Sequence, residues 1–67
     1  MNKWKFSEFM HRAGYTQKTL AQDLGMSKTT LNNKLNGRGS FTPEQIVAIC
    51  ERLSIVTPND KCEIFLP

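Results

Sequence analysis

Lys28, Thr29, Asn32, Asn33 and Asn36 crowd into one nine-residue stretch and offer hydrogen-bond donors, acceptors and a methyl group, with no carboxylate among them. That set suits the edge of a base pair. An Asn amide bonds the N6 and N7 edge of adenine in two places, a Lys ammonium reaches the O6 and N7 acceptors of guanine, and a Thr methyl packs on that of thymine. Taken singly, each of these residues is an ordinary solvent-facing side chain; the chemistry requires them on one surface. A helix turns about 100° per residue, and with Leu31 and Leu35 taken as inward, Thr29, Asn33 and Asn36 project to the opposite side. Asn32 then lies on the flank and Lys28 in the first turn.

Nothing else in the chain gathers into a reaction centre. His11 stands on the outer side of the first helix with no evident Ser or acid partner beyond what chance supplies, and Gly37-Arg38-Gly39 is too short to cradle a phosphate as a nucleotide loop does. Cys50 and Cys62 lack the paired spacing of a zinc or redox motif, and one His cannot complete a metal tetrahedron with them. Both read as reduced thiols, Cys50 as a small apolar group on a helical stripe. No catalysis, metal or cofactor is expected.

The elements that must position the polar surface are marked by caps and stops. Asn2 opens a first helix whose apolar face is Phe6, Phe9, Met10 and Ala13, and Gly14 ends it. Trp4 lies off that stripe and is expected against the C-terminal tail. Thr16 caps a second helix from about Gln17 to Leu24, with Leu20, Ala21 and Leu24 inward and Gly25 as its stop. Ser27 caps a third, which runs to about Leu35 and ends at Asn36 and Gly37. So brief a connection makes the second and third helices cross steeply, with Ala21 and Gly25 as the small residues where their backbones approach. Leu20, Leu24, Met26 and Leu31 form the wedge between them.

Phe41 is a plug for the core, and Thr42-Pro43-Glu44-Gln45 is the clearest helix start in the chain: a capping Thr, Pro at the first position, and Gln three residues after the cap. Ile46, Ile49, Cys50 and Leu53 mark the buried face of this fourth helix. Thr57 and Pro58 open one more short helical turn before the apolar tail at residues 63–67. The expected fold is all-α, a compact four- to five-helix domain spanning residues 1–67 as a single unit.

Size and charge fit that picture. Sixty-seven residues make one small core, since a chain of about 60 residues buries only about 60% of the surface its unfolded form exposes. No apolar stretch is long enough for a membrane-spanning helix or a secretory signal, which points to the cytoplasm and to no membrane partner. The overall charge is +3, but its distribution is uneven. Residues 1–40 carry a net +5 and residues 41–67 a net −2, so any polyanionic partner belongs to the first forty residues.

The segment from Thr16 to Gly37, with its Gln17, Leu20-Ala21, Leu24-Gly25, Ser27 and Asn36-Gly37 positions at matching spacing, resembles the helix-turn-helix of the phage Cro and lambda-repressor DNA-binding family. Phe6, Phe9 and Met10 before it, and Phe41 to Ile46 after it, look like the flanking helices of small Cro-like proteins of temperate phages. One departure is Lys34, where many members carry an apolar residue, with Leu35 one place later. The resemblance implies that Lys28, Thr29 and Asn33, with Asn32 beside them, face the bases. It implies that Gln17, Ser27, Asn36 and Arg38 meet phosphates, with Lys18 adding attraction to them. It also implies work in the cytoplasm of a bacterial host.

Two functions fit this reading. In the first, the protein is a sequence-specific transcriptional regulator acting as a homodimer on double-stranded operator DNA, with half-sites about 10 to 10.5 bp apart or a multiple of that. Dimerisation would then use the tail at Ile64 to Leu66, together with the fourth helix. In the second, the same fold docks on another phage repressor protein as a modulator or antirepressor, since fold alone does not settle function.

Overall fold

A computed structural model describes residues 1–66. Five helices follow one another: α1 (Lys3–Arg12), α2 (Gln17–Asp23), α3 (Lys28–Leu35), α4 (Pro43–Leu53) and α5 (Pro58–Phe65). There is no strand among the described residues. Each helix begins where a short polar side chain can replace a missing backbone acceptor. Asn2, Thr16, Ser27, Thr42 and Thr57 each accept a hydrogen bond from the amide three residues on. At Thr42 the bond is reciprocated, because the Gln45 side chain accepts from the Thr42 amide at 2.9 Å.

The core is assembled from all five helices. Phe6, Leu20, Leu31, Ile49, Leu53 and Ile64 are fully buried, and Ile55 joins them from the α4–α5 connection. Phe41 is half-buried as expected, its ring stacked on Phe6 at 6.4 Å and edge-on to Phe65 at 6.2 Å. The small domain thus closes the long α3–α4 connection with an aromatic cluster rather than a helix.

Four expectations need correction. Trp4 does not pack on the C-terminal residues: it is 79% exposed. Ala13 is the C-cap of α1 and is exposed, because the chain has already turned away at Gly14. The segment after Thr57 is a full eight-residue helix, so residues 63–65 of the supposed tail are its last turn. Within that turn Ile64 is buried and Phe65 half-buried, while Leu66 is exposed and Pro67 lies outside the described residues. Finally, Gly25 has open space where a Cβ would stand, so it is not needed for close approach.

α1 and α5 are tied by charge at the edge of this core. The Lys5 ammonium lies 2.9 Å from Asp60 and 2.5 Å from Glu63, and the Asn2 amide donates to the Ile64 carbonyl at 3.0 Å. Hydrogen bonding to Lys5 holds both carboxyls below their ordinary values of 3.8 and 4.5. The same bonds, Glu63 first, raise Lys5 above its ordinary 10.5. Depressed carboxyls mean that the unfolded chain takes up protons before the folded one as the solution is acidified. The stability they lend is complete above 4.5 and is lost as the pH falls through and below 3.8. Lys5→Met is therefore expected to flatten the acid limb of a plot of Tm against pH; an acid limb identical to that of the wild type refutes the tie.

Candidate nucleic-acid interface

α2 and α3 are joined by four residues, Leu24 to Ser27, and the join has a definite hydrogen-bonded form. The Gly25 amide donates to the Gln22 carbonyl at 3.2 Å and the Met26 amide to the Ala21 carbonyl at 3.0 Å, closing α2 through a left-handed glycine. Gly25 has φ +71° there, which is why a glycine is required. Ala21, 1% exposed, is buried with Leu20 and Leu31 in the shared core, and Leu24 and Met26 pack against it half-buried. Gly25→Ala is expected to cost about 1 to 2 kcal/mol through its backbone alone, and Gly25→Asn less, since Asn tolerates positive φ. Urea denaturation of both variants checks this; equal losses refute the conformational explanation.

Ser27 then turns the chain into α3. Its hydroxyl proton is committed within its own helix: the hydroxyl donates to the Thr30 hydroxyl at 2.9 Å and accepts from the Thr30 amide at 3.0 Å. Leu31 and Leu35 point into the core, and on the outside Lys28, Thr29 and Asn32 are exposed. Asn33 lies opposite the core, as the helical projection requires, yet it is half-buried. Its cover comes from the following loop. Gly37 (φ +81°) reverses the chain, so that the Arg38 amide donates to the Asn33 carbonyl at 2.8 Å and the Arg38 guanidinium to Asn33 Oδ1 at 3.3 Å. The Asn33 side-chain NH₂ and one Oδ1 lone pair remain for a ligand.

Asn36, the exposed C-cap of α3, bonds back along the helix to the Asn32 carbonyl at 2.8 Å and to Asn32 Oδ1 at 3.3 Å. Its own Oδ1 accepts from Lys3 Nζ at 3.4 Å. The structure therefore brings Lys28, Thr29, Asn32, Asn33, Asn36 and Arg38 onto one helix and its following turn. Gln17, half-buried, and Lys18, exposed, stand at the start of α2. Lys34 is diverted inward: its ammonium is 2.5 Å from the Ser40 carbonyl and 5.7 Å from the centre of the Phe41 ring. That accounts for a Lys at this place, because its stem and charge brace the α3–α4 loop.

Charge pairing sharpens the face. No Asp or Glu occurs from Leu24 to Pro43. Glu8 pairs with Arg12, Asp60 and Glu63 with Lys5, and Asp23 takes the Tyr15 hydroxyl at 2.6 Å and lies 3.5 Å from Arg52. Among the described residues, Lys3, Lys18, Lys28 and Arg38 have no carboxylate partner and are all exposed. Their field is left to attract an external anion.

Two short helices joined by a tight glycine turn and backed by buried leucines, with an acid-free polar outer face, have the make-up of a groove-reading motif. The family described as "Helix-turn-helix domain" matches residues 5–59. The chain belongs to that family. No curated protein and no solved structure matches it. A helix-turn-helix domain binds DNA, and such domains are typically non-enzymatic. α2 and α3 are the helix-turn-helix pair, and the other three helices supply its support. Among the described residues no helix is long and apolar enough to cross a membrane, and no His, Cys, Asp and Glu cluster could hold a metal ion. The one member of the α3 surface that sequence reasoning missed is Lys3, and no local pattern could have revealed a contact between residues 33 positions apart.

Proposed function

We propose that this helix-turn-helix protein is a sequence-specific transcriptional regulator of the Cro and repressor type, reading operator DNA in the major groove with α3. In this reading Lys28, Thr29, Asn32 and Asn33 meet base edges. Gln17, Lys18, Ser27, Asn36 and Arg38 hold the flanking phosphates, Ser27 through the N-terminal backbone amides of the helix it opens. The observation that carries the reading is the exposed, acid-free outer side of α3, set on a rigid apolar support. Groove insertion demands both properties: side chains that stay in place and no charge that repels phosphate.

One protomer reads few base pairs, so the operator is two-fold symmetric and bound by a homodimer. The C-terminal turn is a poor interface, since Ile64 and Phe65 face the core. A better one is the groove lined by Ile46, Val47, Cys50, Glu51, Val56 and Lys61, where Val47 is 57% and Val56 75% exposed. Glu51 and Lys61 have no ion partner among the described residues and carry opposite charges, which reciprocal contacts across a two-fold axis can pair.

The test is a titration of labelled duplexes, selected from a random pool by the protein, at several salt concentrations. Binding should weaken as salt rises, with a log–log slope of about −0.9 for each phosphate neutralised. Failure to bind any duplex at low salt defeats the reading and favours docking on another repressor protein. Sedimentation of the free protein and of the complex gives the stoichiometry.

A further inference from the structure

The N-terminal turn of α1 continues the α3 surface. Asn32, Asn36 and Lys3 are joined in a row by hydrogen bonds: Asn36 Nδ2 to the Asn32 carbonyl at 2.8 Å, then Lys3 Nζ to Asn36 Oδ1 at 3.4 Å. Trp4 comes next, its ring centre 5.8 Å from the same ammonium. Lys3, Trp4, Leu35, Asn36 and Gly37 line one open groove, where the end of α1 meets the end of α3.

We propose that Lys3 and Trp4 form a docking platform for the sugar–phosphate backbone of the duplex, extending the contact surface beyond the helix-turn-helix. The inference rests on the groove-reading assignment of α3. It follows from three features. First, the base-reading residues of such a helix lie toward its N-terminus, so its C-terminal end, here Asn36, is the end that leaves the groove floor for the wall of phosphates. Lys28 and Asn36 are separated by eight residues, about 12 Å of helical rise, comparable to the width of the major groove, roughly 12 Å. Groups just past Asn36 therefore reach the bordering strand.

Second, the chemistry matches that strand. The indole N–H is a donor with no acceptor function and phosphate oxygens are acceptors; the indole face suits the apolar side of a deoxyribose. The Lys3 ammonium supplies charge beside it, with no carboxylate partner among the described residues. Third, the platform is held in place and yet uncovered. The Asn2 side chain caps α1 at the Lys5 amide at 3.1 Å, and the Asn2 amide is fastened to Ile64 at 3.0 Å. Trp4 nevertheless remains 79% exposed, although a Trp side chain has roughly 150 to 250 Å² to bury.

Trp4 is the sole tryptophan, so its fluorescence reports on this spot alone. The chain is titrated with the selected duplex while labelled-DNA anisotropy and Trp4 emission are followed together. The expected result is an emission change with the same midpoint as the anisotropy and reduced quenching by acrylamide in the complex. Trp4→Ala should weaken binding severalfold on selected and random duplexes alike, with an unchanged circular dichroism melt. Lys3→Ala should lower the salt slope by about one. Anisotropy that reports binding while Trp4 emission and acrylamide access stay constant overturns the platform but leaves the α3 assignment standing. Emission that changes with protein concentration in the absence of DNA assigns the patch to a second copy and also overturns it. No anisotropy change with any duplex overturns both assignments together.

Discussion

Leu31→Ala is expected to lower the stability of the domain by about 2 to 5 kcal/mol, enough to bring it close to unfolding, given that a single core in a chain this short rarely supplies more than about 3 to 5 kcal/mol. Leu31 is 0% exposed on the inner side of α3 and belongs to the same core cluster as Leu20 and Ala21 of α2. Removing its branched end leaves a void between helices fixed at the short Gly25 turn, where the backbone has little freedom to collapse. Leu31→Met, which keeps the volume, should lose less than about 1.5 kcal/mol. Chemical denaturation monitored by circular dichroism separates the two. Equal melting of wild type and Leu31→Ala is incompatible with the wedge. Because α3 is held from behind by this residue, the loss should also appear as weakened DNA binding that excess DNA partly restores, ligand binding being linked to folding.

The second large effect concerns recognition itself. Asn33→Ala should cost about 1 to 3 kcal/mol on the selected duplex and much less on random DNA, as expected for a side chain that reads a base edge. Arg38 provides the internal comparison. It lies against Asn33 through the 2.8 Å backbone bond and the 3.3 Å side-chain bond, while its guanidinium is directed to the phosphates in the proposed function. Arg38→Gln should weaken binding to all sequences alike and reduce the salt slope by about one. An Asn33→Ala variant that loses affinity equally on both DNAs would show that this amide only positions Arg38, and the base-reading role would pass to Lys28, Thr29 and Asn32. Quantitative binding over a series of salt concentrations, repeated on both DNAs, distinguishes these results.

Local features were legible because they are short-range. A capping Ser, Thr or Asn acts on an amide three residues away, and a left-handed glycine acts on its own φ, so Asn2, Thr16, Ser27, Thr42, Thr57, Gly14, Gly25 and Gly37 all mark helix ends in the folded protein. Apolar spacing likewise placed Phe6, Met10, Leu20, Leu31, Ile49 and Leu53 in the core. The misreadings were of another kind. Helical spacing puts Ala13 on the apolar stripe although the neighbouring chain does not cover it, Trp4 gains no cover from the C-terminal residues, and Ile55 enters the core from a loop, where no periodicity marks it. The last helix runs further than its own signals show: its apolar end, Ile64 to Leu66, reads as a tail, while Lys5, which fastens its Asp60 and Glu63, lies more than fifty residues away in sequence.

What the chain's own order of residues determined, then, is where the helices start, where the first four stop and which side of those four is apolar, and that the face carrying Thr29, Asn32, Asn33 and Asn36 is polar and free of acids. Those properties depend on neighbours within about one or two helical turns. Only tertiary structure decided that Arg38 folds over Asn33, that Lys34 braces the loop at Ser40 instead of facing outward, and that Lys3 and an exposed Trp4 adjoin the end of α3. Each of these depends on where the backbone goes after a turn or on which distant helix it packs against, and that is settled by burial of the shared core rather than by spacing along the chain.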